Sequence, residues 1–112
     1  MRFATFPETI IPYYPYFSFV QPPLTLAKKH QRLLEPSPTV PSAETHAIAK
    51  AAKDAQMVLS IGANERDGGS IYNTQLLFDA DGTLIQRCQK ITPTYHERMV
   101  WAKATVAAAF AP

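Results

Sequence analysis

The sequence predicts an α/β domain, on three observations. A capped apolar stripe over Ser42 to Gln56 runs directly into the β-type run Met57-Val58-Leu59-Ser60-Ile61, as a layered α/β arrangement requires. Two glycine-containing turns, Asp67-Gly68-Gly69 and Asp79-Ala80-Asp81-Gly82, then separate successive extended segments in the manner of a meander. Ahead of the helices stands Arg2-Phe3-Ala4-Thr5-Phe6, short, aromatic and ended by Pro7. The expected order is a strand, two helices and a three-stranded meander.

Each element has a local cause. Pro7 donates no backbone hydrogen bond and restricts Phe6 to extended geometry, so the first strand delivers Glu8 at its C-terminal end. From Thr9 to Pro23 the prolines at 12, 15, 22 and 23 interrupt any long helix. Tyr13, Tyr14, Tyr16, Phe17 and Phe19 there make an aromatic loop that is expected to pack against something. Leu24 to Glu35 carries Leu26, Leu33 and Leu34 at helical spacing among Lys28, Lys29, Gln31 and Arg32, and Pro36 and Pro38 close that helix. After the linker 36–41, Ser42 caps the second helix, whose first turn holds Glu44 and whose stripe is Ala47, Ile48, Ala51, Ala52 and Ala55. Ile71 to Phe78 and Thr83 to Lys90 complete the meander, and the Asp81-Gly82 pair suits the positive φ of a tight turn.

Composition narrows the function. The 112 residues are 46% hydrophobic, which suits one globular domain or a piece of one. Eleven Lys and Arg are scattered among nine Asp and Glu, so no basic stripe for nucleic acid is present. Neither a signal peptide nor a run of apolar residues long enough for a membrane span is evident. Cys88 is the single cysteine, so no intramolecular disulfide forms, and no Cys/His cluster has zinc-site spacing. A reducing, cytoplasmic setting is the expectation.

Three residues are candidates for chemistry. Glu8, past a strand and beside an aromatic segment, is placed to be desolvated into a general base, against the plainer reading of a solvated or ion-paired carboxylate. Lys90 ends a strand before the rigid Thr92-Pro93-Thr94 and is suited to stabilise a developing negative charge, or simply to discourage aggregation at a sheet edge. Glu97, within His96-Glu97-Arg98, would keep Lys90 charged and oriented, although such a run also suits a solvated face or a helix start. Cys88 reads as a small buried hydrophobe rather than a nucleophile, since no nearby His completes a thiol pair.

Phe6-Pro7-Glu8-Thr9 with Pro12-Tyr13-Tyr14-Pro15-Tyr16 resembles the glutamate motif of the nitrilase family. Ser60-Ile61-Gly62 with Asn64-Glu65-Arg66, Tyr72-Asn73-Thr74 with Leu77-Phe78, Asp81-Gly82, and Lys90-Ile91-Thr92-Pro93-Thr94 with Glu97-Arg98 extend the resemblance over nearly all of residues 2–101. It implies part of an α-β-β-α sandwich over residues 1–101. It further implies Glu8 as the base for a cysteine thiol, Lys90 as the stabiliser of the tetrahedral intermediate, and Glu97 as a positioning glutamate. The implied reaction takes a small-molecule nitrile and two waters to a carboxylic acid and ammonia through a covalent thioimidate and a thioester, with no metal or organic cofactor. Homo-oligomer formation by the parent enzyme is implied as well.

Departures from the family pattern shape what is expected of this chain. The family's opening strand and helix would precede Phe3, and its Gly-rich turn and Cys-Trp-Glu-type nucleophile segment would follow the Trp101 region, where residues 102–112 instead form an Ala-rich tail. The chain therefore reads as a fragment without its nucleophile, inactive alone. A one-base deletion after the Trp101 codon would account for Ala102 to Val106, because Gly-Gln-Gly-Asp-Gly codons of the form GGC-CAA-GGC-GAC-GGT, reread one base later, give GCC-AAG-GCG-ACG-GT. A helical tail is the alternative, and translating the parent DNA in three frames separates the two. Missing strands would leave Ile48, Val58, Leu59, Leu76 and Phe78 exposed, so marginal stability is expected. Two competing readings are an amidase or carbamoylase fragment and a non-catalytic binding module that docks through the aromatic loop 13–19.

Overall fold

The computed structural model describes residues 2–20 and 22–109; Met1, Gln21 and the last part of the expected tail, residues 110–112, lie outside the described residues. One four-stranded sheet, ordered β1-β2-β3-β4, carries the fold. β1 (Phe3–Thr5) lies parallel to β2 (Val58–Asp67), which pairs antiparallel with β3 (Ser70–Phe78), and β3 pairs antiparallel with β4 (Leu84–Gln89). Between β1 and β2 come α1 (Pro23–Leu34) and α2 (Ala43–Ala55), and a single helical turn, α3 (Val106–Ala109), ends the described chain. This is the expected strand, two helices and meander. Among the described residues no helix is long and apolar enough to cross a membrane.

α2 is bounded by its own chemistry. Ser42 Oγ accepts from the Thr45 backbone N–H at 3.3 Å, and Thr45 Oγ1 accepts from the Ser42 N–H at 2.8 Å, so two of the donors at the helix start are satisfied reciprocally. Gln56 ends the helix at φ 48°, and the chain enters β2 two residues later. Of the expected stripe, Ile48 and Ala52 lie over one sheet face, where Ala52, Ile61, Ala63, Leu76 and Phe78 form a buried cluster joined by Ile48, Ala49 and Leu59. Ala47, Ala51 and Ala55 are exposed, because the helix turns Ala49 rather than these toward the sheet.

That layer corrects one expectation. Leu76 and Phe78 are 0% and 1% exposed, because α2 already covers them, and Ile48, Val58 and Leu59 are half-buried. On the sheet, the large apolar side chains that stay exposed are Phe3 and Ile85 on its two edge strands, with Phe6 just past β1. The β3–β4 turn is seated against α2 as well. Gly82 has φ +89°, and a Cβ there would stand 2.9 Å from the Ala49 carbonyl oxygen.

β2 runs six residues beyond the expected stretch, through Asn64-Glu65-Arg66-Asp67. A polar run of this kind resembles a loop by pattern, yet it stays in the sheet because its side chains find partners there: Asn64 reaches the Tyr13 carbonyl, and Glu65 reaches Thr74, Arg87 and Gln89. A second cluster, Leu33, Ile71, Val100 and Trp101, joins α1 to the end of the sheet, with Tyr14 and Phe17 packed on it. The aromatic loop is thus only partly buried. Tyr16 and Phe19 stay 73% and 50% exposed.

Candidate active site

Glu8 follows β1 and rides over β2. The Phe6 N–H donates to Ser60 O and Asn64 N–H to Ile11 O, so the chain on both sides of Glu8 is tied to β2. The approach is close enough to exclude any side chain below it. A Cβ on Gly62 would lie 2.4 Å from Thr9 N and 2.5 Å from Glu8 Cα. Thr9 is fully buried at φ 48°, an uncommon conformation for a β-branched residue, and among the described residues its Oγ1 has no hydrogen-bond partner. Local strain of this sort persists only where surrounding contacts over-determine it.

Lys90 leaves the end of β4 on the Asn73 main chain, its N–H donating to Asn73 O at 2.7 Å. Its ammonium lies 3.1 Å from Glu97 Oε2, 3.5 Å from Glu8 Oε2 and 5.6 Å from the centre of the Trp101 ring. The three residues expected from the sequence are therefore gathered at one point.

The two carboxylates differ in kind. Glu97 is buried in a 3₁₀ turn (Tyr95–Met99), where Oε1 accepts from Tyr14 Oη at 2.9 Å and Oε2 from both Thr94 N–H at 2.7 Å and Lys90. Burial by itself would raise its pKa, but the Thr94 N–H, the Lys90 ammonium and the Tyr14 hydroxyl together hold it below the ordinary carboxylate value. Tyr14 shifts upward in turn, first through burial and then through the charge and hydrogen bond of Glu97, so it remains a donor. Glu8, by contrast, is 42% exposed, and among the described residues only its Oε2 is engaged, by Asn73 Nδ2 at 2.9 Å and Lys90. The expected desolvation of Glu8 by the aromatic segment is corrected by this exposure.

The depressed Glu97 value sets an acid limit. Its contribution to stability is complete above the unfolded carboxyl value, near pH 4.5, and is lost as pH falls below that toward the folded value. Urea midpoints measured from pH 7 to pH 3 should therefore drop, and Glu97→Gln should flatten part of the drop; Glu44 and Asp81 are lowered in the same direction and add to it. An unchanged slope in the variant would refute the assignment to Glu97.

The sequence model of the family described as carbon-nitrogen hydrolase matches residues 1–111. The chain belongs to that family. Nitrilase 3 from an unknown prokaryotic organism is 64% identical over 105 residues, covering 92% of this chain, and a nitrilase from Paraburkholderia phymatum is 50% identical over 107 residues, covering 96%. In each case the match spans 32% of the relative, so this carbon-nitrogen hydrolase chain has about a third of their length. Among solved structures, a Saccharomyces cerevisiae member of branch 10 of the nitrilase superfamily superposes with a TM-score of 0.63 over 94% of this chain and 36% of that one, at 20% identity, a likeness of fold.

Within the carbon-nitrogen hydrolase chain, sequence reasoning passed over four site residues: Gly62, Asn64, Asn73 and the Tyr14 hydroxyl. Two signals were available, a glycine and two asparagines inside strands that disfavour both types. Asn64, fully buried, accepts from Trp101 Nε1 at 2.7 Å while donating to Tyr13 O at 2.8 Å, and so fixes the ring over which the Lys90 ammonium sits. Cys88, half-buried opposite Gln75, stays outside the Glu8, Lys90 and Glu97 cluster. A cleft of about 360 Å³ between Thr92, Pro93, Arg98, Trp101 and Lys103 includes neither Glu8 nor Lys90 in its wall, so it is not assigned to substrate. Among the described residues no group of three His, Cys, Asp or Glu is placed to hold a metal.

Proposed function

We propose that this chain supplies the base, the lysine and the positioning glutamate of an enzyme that hydrolyses a small-molecule nitrile to a carboxylic acid and ammonia, the nucleophilic thiol coming from sequence outside the described residues. The observation that carries the reading is the Lys90 ammonium held between two carboxylates of unequal saturation, at 3.1 Å from Glu97 and 3.5 Å from Glu8. Glu97, charged and supplied with three donors, fixes the ammonium. Glu8, with Oε1 free of partners among the described residues, retains a lone pair for a proton. In the proposed reaction Glu8 takes the thiol proton as sulfur bonds to the nitrile carbon, Lys90 stabilises the charge developing on the nitrogen, and the proton passes from Glu8 to that nitrogen to give the thioimidate. One water then displaces ammonia from the thioimidate, and a second cleaves the thioester to release the acid and the thiol. The chain alone is proposed to be inactive, and its relatives' names favour nitriles over amides.

A chimera tests this: residues 2–101 replace the matching third of the 64%-identical relative, and ammonia release is measured from nitriles and amides. Nitrile turnover is expected, with Glu8→Gln and Lys90→Met each reducing it by about 100-fold or more, as removal of a general base or of a charge stabiliser does. Equal turnover in the Glu8→Gln variant would refute the assignment of the base. Preferential turnover of amides would replace nitriles with amides as substrate.

A further inference from the structure

We infer that Asn73 is a positioning residue that fixes the proposed base, an assignment that rests on the nitrile-hydrolysing reading above. Asn73 sits inside β3, 5% exposed, at a position where a strand prefers a β-branched or aromatic side chain. Its side chain spends that position on Glu8: Nδ2 donates to Oε2 at 2.9 Å, a better bond than the 3.5 Å approach of Lys90 to the same oxygen. Its main-chain carbonyl meanwhile accepts the Lys90 N–H at 2.7 Å. One residue of an inner strand thus sets both the carboxylate and the backbone origin of the ammonium.

The chemistry of the amide matters. Asparagine donates to a carboxylate without bringing a charge, so it holds Oε2 in place and adds no further ion pair to oppose proton uptake. With Oε2 occupied, Oε1 is the oxygen that accepts the thiol proton. The backbone beneath Glu8 is pinned independently, by the space-filling limit at Gly62. Gly62 therefore fixes where Glu8 starts, and Asn73 fixes where its carboxylate ends.

Two substitutions in the chimera separate positioning from plain structural support. Asn73→Ala is expected to lower kcat by about 10- to 100-fold with KM within about threefold, the cost of a base misplaced by a fraction of an ångström to an ångström. Asn73→Asp keeps the shape but replaces the donor with an acceptor of like charge, and is expected to lose at least as much as Asn73→Ala. A purely structural role would instead favour the isosteric variant. Activity of Asn73→Ala within threefold of an active parent chimera, or a better Asn73→Asp, would overturn the inference. If the parent chimera releases no ammonia, the nitrile-hydrolysing reading fails separately, and the pairing is judged on the 112-residue chain. There the Asn73 side-chain amide resonances should move on Glu8→Gln, and unmoved resonances would overturn the inference on their own.

Discussion

Gly62→Ala is expected to dislodge the Glu8 segment and destabilise the chain by about 3 kcal/mol, the upper end for overpacking a filled site. The added Cβ would meet Thr9 N, Glu8 Cα and Pro7 O at 2.4 to 2.5 Å, all of them backbone atoms that cannot rotate away. Neither side has room to yield. β2 is paired along its length with β3, and the segment above is tied to β2 by the Phe6 and Ile11 hydrogen bonds and holds Thr9 in a strained conformation. Moving the segment outward by an ångström would also take Glu8 Oε2 out of reach of Asn73, so the chimera should lose about 100-fold in kcat as well. Gly69→Ala provides the control, since nothing lies within 4 Å of its Cβ and its φ is not positive. That variant should stay within about 0.5 kcal/mol of the parent. Thermal or urea unfolding of the two variants side by side decides the matter, and equal midpoints would sink the close-packing argument.

The same geometry explains what the sequence could and could not disclose. α2 was legible because its cap and its alanine stripe are local, with Ser42 and Thr45 three residues apart. The length of β2 was not, because Asn64 and Glu65 are strand residues only by virtue of partners at Tyr13, Thr74, Arg87 and Gln89. Glu8, Lys90 and Glu97 could be named from motifs that resemble a family. Tyr14 could not be singled out within those motifs, and Asn73 stood out only as an asparagine inside a strand, since the bonds that give them roles reach 83 and 65 positions along the chain. Long-range polar pairing leaves no periodic trace in a sequence. Hydrophobic pairing does, and so the α2 face was predictable in type even though its burial of Leu76 and Phe78 was misjudged.

Glu65→Ala is expected to be strongly damaging, although Glu65 touches none of the proposed catalytic residues. Its carboxylate is 3% exposed and takes three donors: Thr74 Oγ1 at 2.8 Å and Gln89 Nε2 at 2.9 Å on one oxygen, Arg87 Nη1 at 2.8 Å on the other. Removing it strands a guanidinium, an amide and a hydroxyl in an apolar layer. Loss of one partner from a buried ion pair costs about 3 to 5 kcal/mol, and the lower end applies because the Arg87 side chain is 23% exposed. About 3 kcal/mol is a large share of the ~5 to 15 kcal/mol that holds a typical domain together. Replacing both partners in Glu65→Met/Arg87→Met should recover much of the loss, since two apolar side chains leave no uncompensated charge. The consequence reaches the other face through β4. The Gln89 side chain loses its anchor, and Lys90 is the next residue, held to β3 by its N–H on Asn73. Hydrogen exchange at the Lys90 amide should therefore accelerate in Glu65→Ala more than exchange inside β3 does. If Glu65→Ala unfolds within about 1 kcal/mol of the parent, the buried knot is not what fixes the end of β4. The placement of Lys90 would then rest on Asn73 and Glu97 alone.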